Sequence, residues 1–427
     1  MSKFFPTLLF ILLLSACSKD KDKLKDTVDI FSVETENLEA DSYLADKNYS
    51  TTAADRFLAS NSRFFGDIRF KDNLRKLKRK KTKYSKAKTD LPFAIAPTIN
   101  DKQLFIADRK GEITAIDLET RKKLWRTKLK IASHEINHLS GGIVTDDDYL
   151  YVTNGSNYLF VLAQVDGSIK WQKDLGFIVR AKPFIHQNKI YVKTIDERIF
   201  AFGKESGNLV WLNELNNSGI SLYGNSSFSA YEKVLVSGSS NGDLIAFEAA
   251  TGKIIWQDSL LSSNAKSENF DFNDIKTTPL IYQKDLYAVS NQGFLAKYDV
   301  LSGIKKWDLK LSSAEQFWLT EQLLLIIDNF NNLVAVDTAS GQVKWLSKLT
   351  DYAKKDKKLN FYGPMVAGGQ VLAISNKGKL LSFAYSSGEY QGKKRIAKNV
   401  NLVPLINNEQ LYLFNNKGKL YNYYFKK

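Results

Sequence analysis

The sequence predicts an all-β fold, an eight-bladed β-propeller of four-stranded antiparallel blades closed by an N-terminal strand. Three observations carry this: a unit that recurs every 38 to 51 residues, period-two alternation of apolar and polar residues inside it, and Gly and Trp at fixed places near its end. The copies read ITAIDLETRKKLW, LFVLAQVDGSIKW, IFAFGKESGNLVW, LIAFEAATGKIIW, FLAKYDVLSGIKKW and LVAVDTASGQVKW. Their last residues are Trp125, Trp171, Trp211, Trp256, Trp307 and Trp345, at intervals of 46, 40, 45, 51 and 38 residues. That period suits a four-stranded blade and is too long for leucine-rich or ankyrin repeats.

Each blade element has its own signal. Short alternating runs such as Leu104 to Ile106 and Lys189 to Val192 mark strands. Pro97, Pro183, Pro279 and Pro404 stand in the lead-in segments APTI, AKPFI, TTPLI and LVPLI, where a missing N–H suits the first residue of a strand. Gly167, Gly207, Gly252, Gly303 and Gly341 precede the tryptophans, and Gly there supplies positive φ so that the third strand folds back into the fourth. The Trp four residues later is expected on the outer strand with its face against the neighbouring blade, a core role rather than a ligand cage.

The count extends past six. LLSFAYSSGEYQG keeps the pattern with Gly388 in the turn but Gly392 in the Trp slot, and NLVPLINNEQLYLFNNKGKLYNYYFKK supplies three strands before the chain ends. A ring whose last blade has three strands must take its fourth from the N-terminus. The segment Leu74 to Ser85 is the candidate, giving eight blades, or seven if the seventh unit is degenerate.

The N-terminus reads as an export signal: a charged start, an apolar run from Phe4 to Leu14 and the site LSAC ending at Cys17. It resembles a lipoprotein lipobox, with Cys17 as the lipidated residue; Ser18 after it favours sorting to the outer membrane. The expected organisation is a signal peptide over 1–17, a flexible tether over 18–73 and the propeller over 74–427. Cys17 is the sole cysteine, so disulfide, CxxC and thiolate-metal chemistry are excluded once it is lipidated. The net charge of +15 is uneven: residues 71–88 hold ten Lys or Arg against one Asp. That run is either a solvated basic strand or a contact for anionic headgroups or an acidic partner. An exported chain is not expected to bind nucleic acid.

SHEINHL, with His134, Glu135 and His138, has the spacing of a zinc peptidase motif, which works only on a helix. It falls between a strand ending near Leu129 and one beginning near Gly141, in a polar linker with no helical stripe, and no third ligand is offered. Neither a metal nor a catalytic residue is assigned.

The pattern x-D-x-x-[TS]-G-x-x-x-W, as at Asp299 to Trp307 and Asp337 to Trp345, resembles the PQQ-type propeller repeat. Quinoprotein dehydrogenases carry it with PQQ and Ca²⁺; BamB-like lipoproteins carry it without cofactor in the machinery that inserts β-barrel proteins into the outer membrane. The lipobox and the lack of an adjacent-cysteine disulfide make the chain similar to the second group. That resemblance implies a non-enzymatic, cofactor-free scaffold, lipid-anchored at the outer membrane and facing the periplasm. Its partners would be the POTRA domains of a BamA-like protein and unfolded β-barrel clients. ISLYGNSS resembles the family segment that touches those domains, which assigns Ile220, Leu222 and Tyr223 to partner binding, with Tyr223 where the family has Arg. NDIKTTP resembles a second segment and assigns Asp274 and Lys276, the latter reversing the family's acidic sign. The alternative for these residues is that Ile220 and Leu222 pack inward and Asp274 caps a turn. The competing functions are a PQQ-dependent dehydrogenase and a lipid-tethered envelope binder.

Overall fold

Each repeat folds as four consecutive antiparallel strands, because short alternating runs separated by Gly-, Asn- and Asp-containing turns can only return on themselves. The computed structural model describes residues 77–80 and, with breaks, 95–425; the longer breaks are 81–94, 130–140, 216–225 and 262–273. These residues belong to one compact unit, Tyr49–Lys427. Among the described residues, eight four-stranded sheets form the blades of a propeller. Blades one to seven span residues 98–128, 142–174, 184–214, 228–259, 280–310, 318–348 and 361–395.

Blade eight has the predicted composite make-up. Three strands, Leu405–Asn407, Gln410–Phe414 and Leu420–Phe425, come from the C-terminus. The fourth is Leu77–Lys80, paired antiparallel with Leu77 opposite Phe425 and Lys80 opposite Asn422. It lies within the Leu74 to Ser85 segment. The prolines also fall as expected: Pro97, Pro183, Pro279 and Pro404 each directly precede the first strand of a blade.

The core runs between blades. The middle strands are almost fully buried, as in Leu323–Ile327 and Val234–Gly238, whereas outer strands alternate exposed and covered residues. The Trp of each repeat joins one blade to the next. A Cβ on Gly252 would lie 2.6 Å from Cε3 of Trp211 in the preceding blade, and Gly167, Gly207, Gly303, Gly341 and Gly388 meet Trp125, Trp171, Trp256, Trp307 and Trp345 in the same way. Glycine is therefore required twice at this turn, for a φ near +76° at Gly252 and for room beneath an indole. The indole Nε1 donates across the junction, from Trp125 to the Gln164 carbonyl at 2.9 Å and from Trp345 to that of Tyr385 at 3.0 Å.

The rest of the repeat motif serves the same turn. The Asp299 carboxylate accepts from the Ser302 N–H at 2.9 Å and its hydroxyl at 3.0 Å, and Asp337 treats Ser340 likewise. These bonds hold the Asp299 carboxyl below the usual carboxylate range. A bulge follows directly after the residue opposite Trp, at Ala115/Ile116, Ala201/Phe202 and Ala335/Val336, adding twist where the blades splay.

Candidate partner-docking rim

Strands alternate direction, so the linkers between blades and the hairpins joining second to third strands share one rim of the ring. The described lead-ins to blades four and five, 226–227 and 274–279, belong to that rim. Ile220, Leu222 and Tyr223 lie outside the described residues, but the chain emerges at Ser226, three residues after Tyr223. Asp274 and Lys276 are described and lead into the first strand of blade five, Leu280–Tyr282.

The two lead-in segments are stitched together. Ser226 Oγ donates to the Thr277 carbonyl at 2.9 Å, the Ser227 N–H to Thr278 Oγ1 at 3.3 Å, and Ser229 Oγ to the Pro279 carbonyl. Lys276 is thus one residue, and Tyr223 three, from a direct bond between their segments. Ser227 Oγ donates to the Lys182 carbonyl of blade three's lead-in at 2.9 Å, and Gln316 of blade six bonds Thr278 in both directions at 3.0 and 3.2 Å. Four neighbouring blades therefore present their lead-ins as one hydrogen-bonded belt.

Within the NDIKTTP segment the side chains differ in fate. Ile275, which sequence reasoning did not single out, is the anchor: it is buried, its N–H donates to the Ser239 carbonyl at 3.0 Å, and it sits on Gly238, where a Cβ would be 2.3 Å from its Cγ2. Asp274 is also buried, 4% exposed, and its carbonyl accepts from the Asn291 N–H at 3.1 Å. Lys276 is half-buried at the surface. Lys276 thus reaches the surface, while Asp274 and Ile275 lie inside the segment.

On the other side of Gly238 from Ile275 lies a buried ion pair that sequence reasoning also missed. Lys193 and Glu197, each 1% exposed, approach to 3.6 Å. The Lys193 ammonium donates to the Gly238 carbonyl and to Ser237 Oγ, and Glu197 Oε1 accepts from the Ser240 N–H at 3.0 Å. The pair ties the rim hairpin of blade three to that of blade four. The available signal was a second lysine, Lys193, at the far end of the strand KIYVK after three apolar residues. Nearby, Arg198 pairs with Asp196 at 3.1 Å and Glu214 at 3.2 Å and lies 4.2 Å over the Phe177 ring, which is 38% exposed.

HEINH lies outside the described residues, and among the described residues no group of three or more His, Cys, Asp or Glu could hold a metal ion. His186 is on the blade-three hairpin, its Nε2 2.7 Å from the Glu232 carbonyl. Burial lowers its pKa, an effect the carbonyl contact partly opposes.

The family model described as outer membrane protein assembly factor BamB matches residues 109–347 and 331–426. The chain belongs to the BamB family. BamB of Moranella endobia is 23% identical over 332 residues, covering 77% of this chain and 84% of that protein. An uncharacterised protein of Rickettsia conorii is 27% identical over 370 residues, covering 83% and 87%. The crystal structure of BamB from Moraxella catarrhalis superposes with a TM-score of 0.67 at 19% identity, covering 82% of this chain and 98% of that one. Quinohemoprotein alcohol dehydrogenase from Comamonas testosteroni gives 0.67 at 11% identity, covering 86% and 79%. At such identities both likenesses speak for the propeller fold alone.

Proposed function

We propose that this BamB-family chain is a non-enzymatic accessory of outer membrane β-barrel assembly, lipid-anchored through Cys17 and facing the periplasm, and that its linker rim docks the POTRA domains of a BamA-like protein. The observation that supports the docking reading is the bonding of Ser226 and Ser227 to Thr277 and Thr278, which joins the lead-ins of blades four and five. Ile220 and Leu222 supply the apolar centre, Tyr223 an aromatic edge and Lys276 a charge, while Asp274 and Ile275 fix the backbone that presents them. Loops held by a rigid scaffold bind with little ordering entropy left to lose. The family assignment supports this reading over the dehydrogenase one.

The test is co-purification of Leu222→Glu combined with Lys276→Glu with BamA-like POTRA domains. Both positions avoid the buried Asp274, whose replacement would probe folding instead. Loss of co-purification with an unchanged β-rich circular dichroism spectrum is expected, since removing an interface anchor costs about 2 kcal/mol or more. Normal co-purification from the folded double variant would overturn the docking site. A saturable thermal shift with PQQ and Ca²⁺ would overturn the cofactor-free reading.

A further inference from the structure

The eight blades are not all held in the same way. In blades one to seven the fourth strand has six residues and follows the third through a short turn, 118–122 in blade one and 385–389 in blade seven. The junctions from blade one through blade seven are latched as well: an indole from one fourth strand stands over the turn glycine of the next blade, as Trp125 does over Gly167 and Trp345 over Gly388. Blade eight differs on each count. Its fourth strand, Leu77–Lys80, has four residues, and no turn joins it to the third, because the two come from opposite ends of the chain.

The indole latch is missing on both sides of this blade. Blade seven has Gly392 in the Trp slot, paired with Ser382 as Trp345 is with Ala335, and a Cβ there would meet nothing within 4 Å. The closing strand reads LKRK and so brings no indole to blade one. The other three strands of blade eight are fixed by contacts in which the closing strand has no part. Leu411, Leu413 and Tyr423 are buried in one apolar cluster with Leu380, Ile396 and Val400. The Tyr423 hydroxyl donates to the Ile396 carbonyl, and Val400 forms a β-bridge with Asn415.

From this we infer that the ring has a built-in point of opening: Leu77–Lys80 separates from Leu420–Phe425 and pairs again while blades one to seven and the three C-terminal strands stay folded. Releasing a fourth strand elsewhere breaks a six-residue ladder, strips an indole from its glycine and breaks the bond from the indole N–H. In blade eight it breaks only a four-residue ladder. With no hairpin to hold the freed strand beside its partner, separation also gains more chain entropy than it would in any other blade. Openings of this kind lie below the free energy of global unfolding, and they fall where a segment has the fewest contacts to lose. The open state leaves Leu420–Phe425 with an unpaired edge.

The test is hydrogen exchange on the folded full chain carrying Cys17→Ser, read by mass spectrometry as protection factors for the ladder-bonded amides of blades six and eight. Those of Leu77–Lys80 are expected to exchange at least about tenfold faster than those of Val343–Lys348, the fourth strand of blade six, while Gln410–Phe414 stays as protected as Leu323–Ile327. The fast exchange should hardly respond to low urea, since separating one strand exposes little surface. Equal protection of Leu77–Lys80 and Val343–Lys348 would overturn the inference. Exchange of Gln410–Phe414 as fast as that of the closing strand would overturn it too, since the whole blade would then be unfolding. So would a steep urea dependence shared with blade six, the mark of global unfolding. The assay contains neither POTRA domains nor lipid, so its outcome is independent of the proposed function.

Discussion

Replacing Trp211 by Ala tests the junction between blades three and four directly. The indole is 8% exposed, packs on Gly252 of the next blade and donates from Nε1 to the Ala249 carbonyl at 3.2 Å. Its ring lies 5.8 Å from that of Tyr191, whose hydroxyl donates to the same carbonyl at 2.9 Å. Because Gly252 has no side chain to swing into the space, the junction cannot collapse, and the loss should fall in the range for a buried Trp→Ala change, about 3–5 kcal/mol. Unfolding entropy of about 2.1 cal/mol/K per residue over roughly 350 propeller residues converts this to a fall in Tm of about 4–7 °C. Trp211→Phe keeps most of the apolar contact and leaves the Ala249 carbonyl its Tyr191 partner, so it should lose only about 1–2 °C. Differential scanning calorimetry of the Cys17→Ser chain reads both. If Trp211→Ala leaves Tm within about 1 °C of the parent, the Trp and Gly pair does not hold the blades together and the reasoning fails.

Deleting Leu74 to Ser85 removes the strand paired with Leu420–Phe425 and should lower the thermal midpoint of the whole propeller; an unchanged midpoint would mean that another segment closes the ring. Cys17→Ser should move the protein from the membrane to the periplasmic fraction at high salt, and retention there under those conditions would argue against an anchor at that residue. Lys193→Met leaves Glu197 buried without its cation and should cost about 3–5 kcal/mol by chemical denaturation, whereas adding Glu197→Leu should recover much of it; a double variant no better than the single would show that the pair does not act as a unit.

The architecture was legible because it is repetitive and local. Period-two alternation, proline before first strands and the D-x-x-[TS]-G turn are each decided within a few residues, and the copies made the blade count and the missing eighth-blade strand readable from spacing. Even the closing segment could be placed by elimination. The reason for the glycine was only half visible: positive φ is a local property, but the indole above it belongs to the preceding blade, 36 residues earlier in the case of Gly207 and Trp171. At the rim the sequence showed none of the burial found inside the NDIKTTP segment. Alternation suggested nothing about Asp274, which is buried because Ile275 docks on Gly238 and draws its neighbours down with it. Lys193 and Glu197 look like ordinary surface residues until two hairpins from different blades enclose them. The sequence by itself determined the strands, the turns, the repeat and the uneven charge, since these depend on residues near one another along the chain. Only the tertiary structure decided which side chains meet across a blade junction, that the lead-ins of blades three to six are joined by hydrogen bonds, and that the closing strand pairs with the last one, because ring closure makes neighbours of residues separated by more than 300 positions.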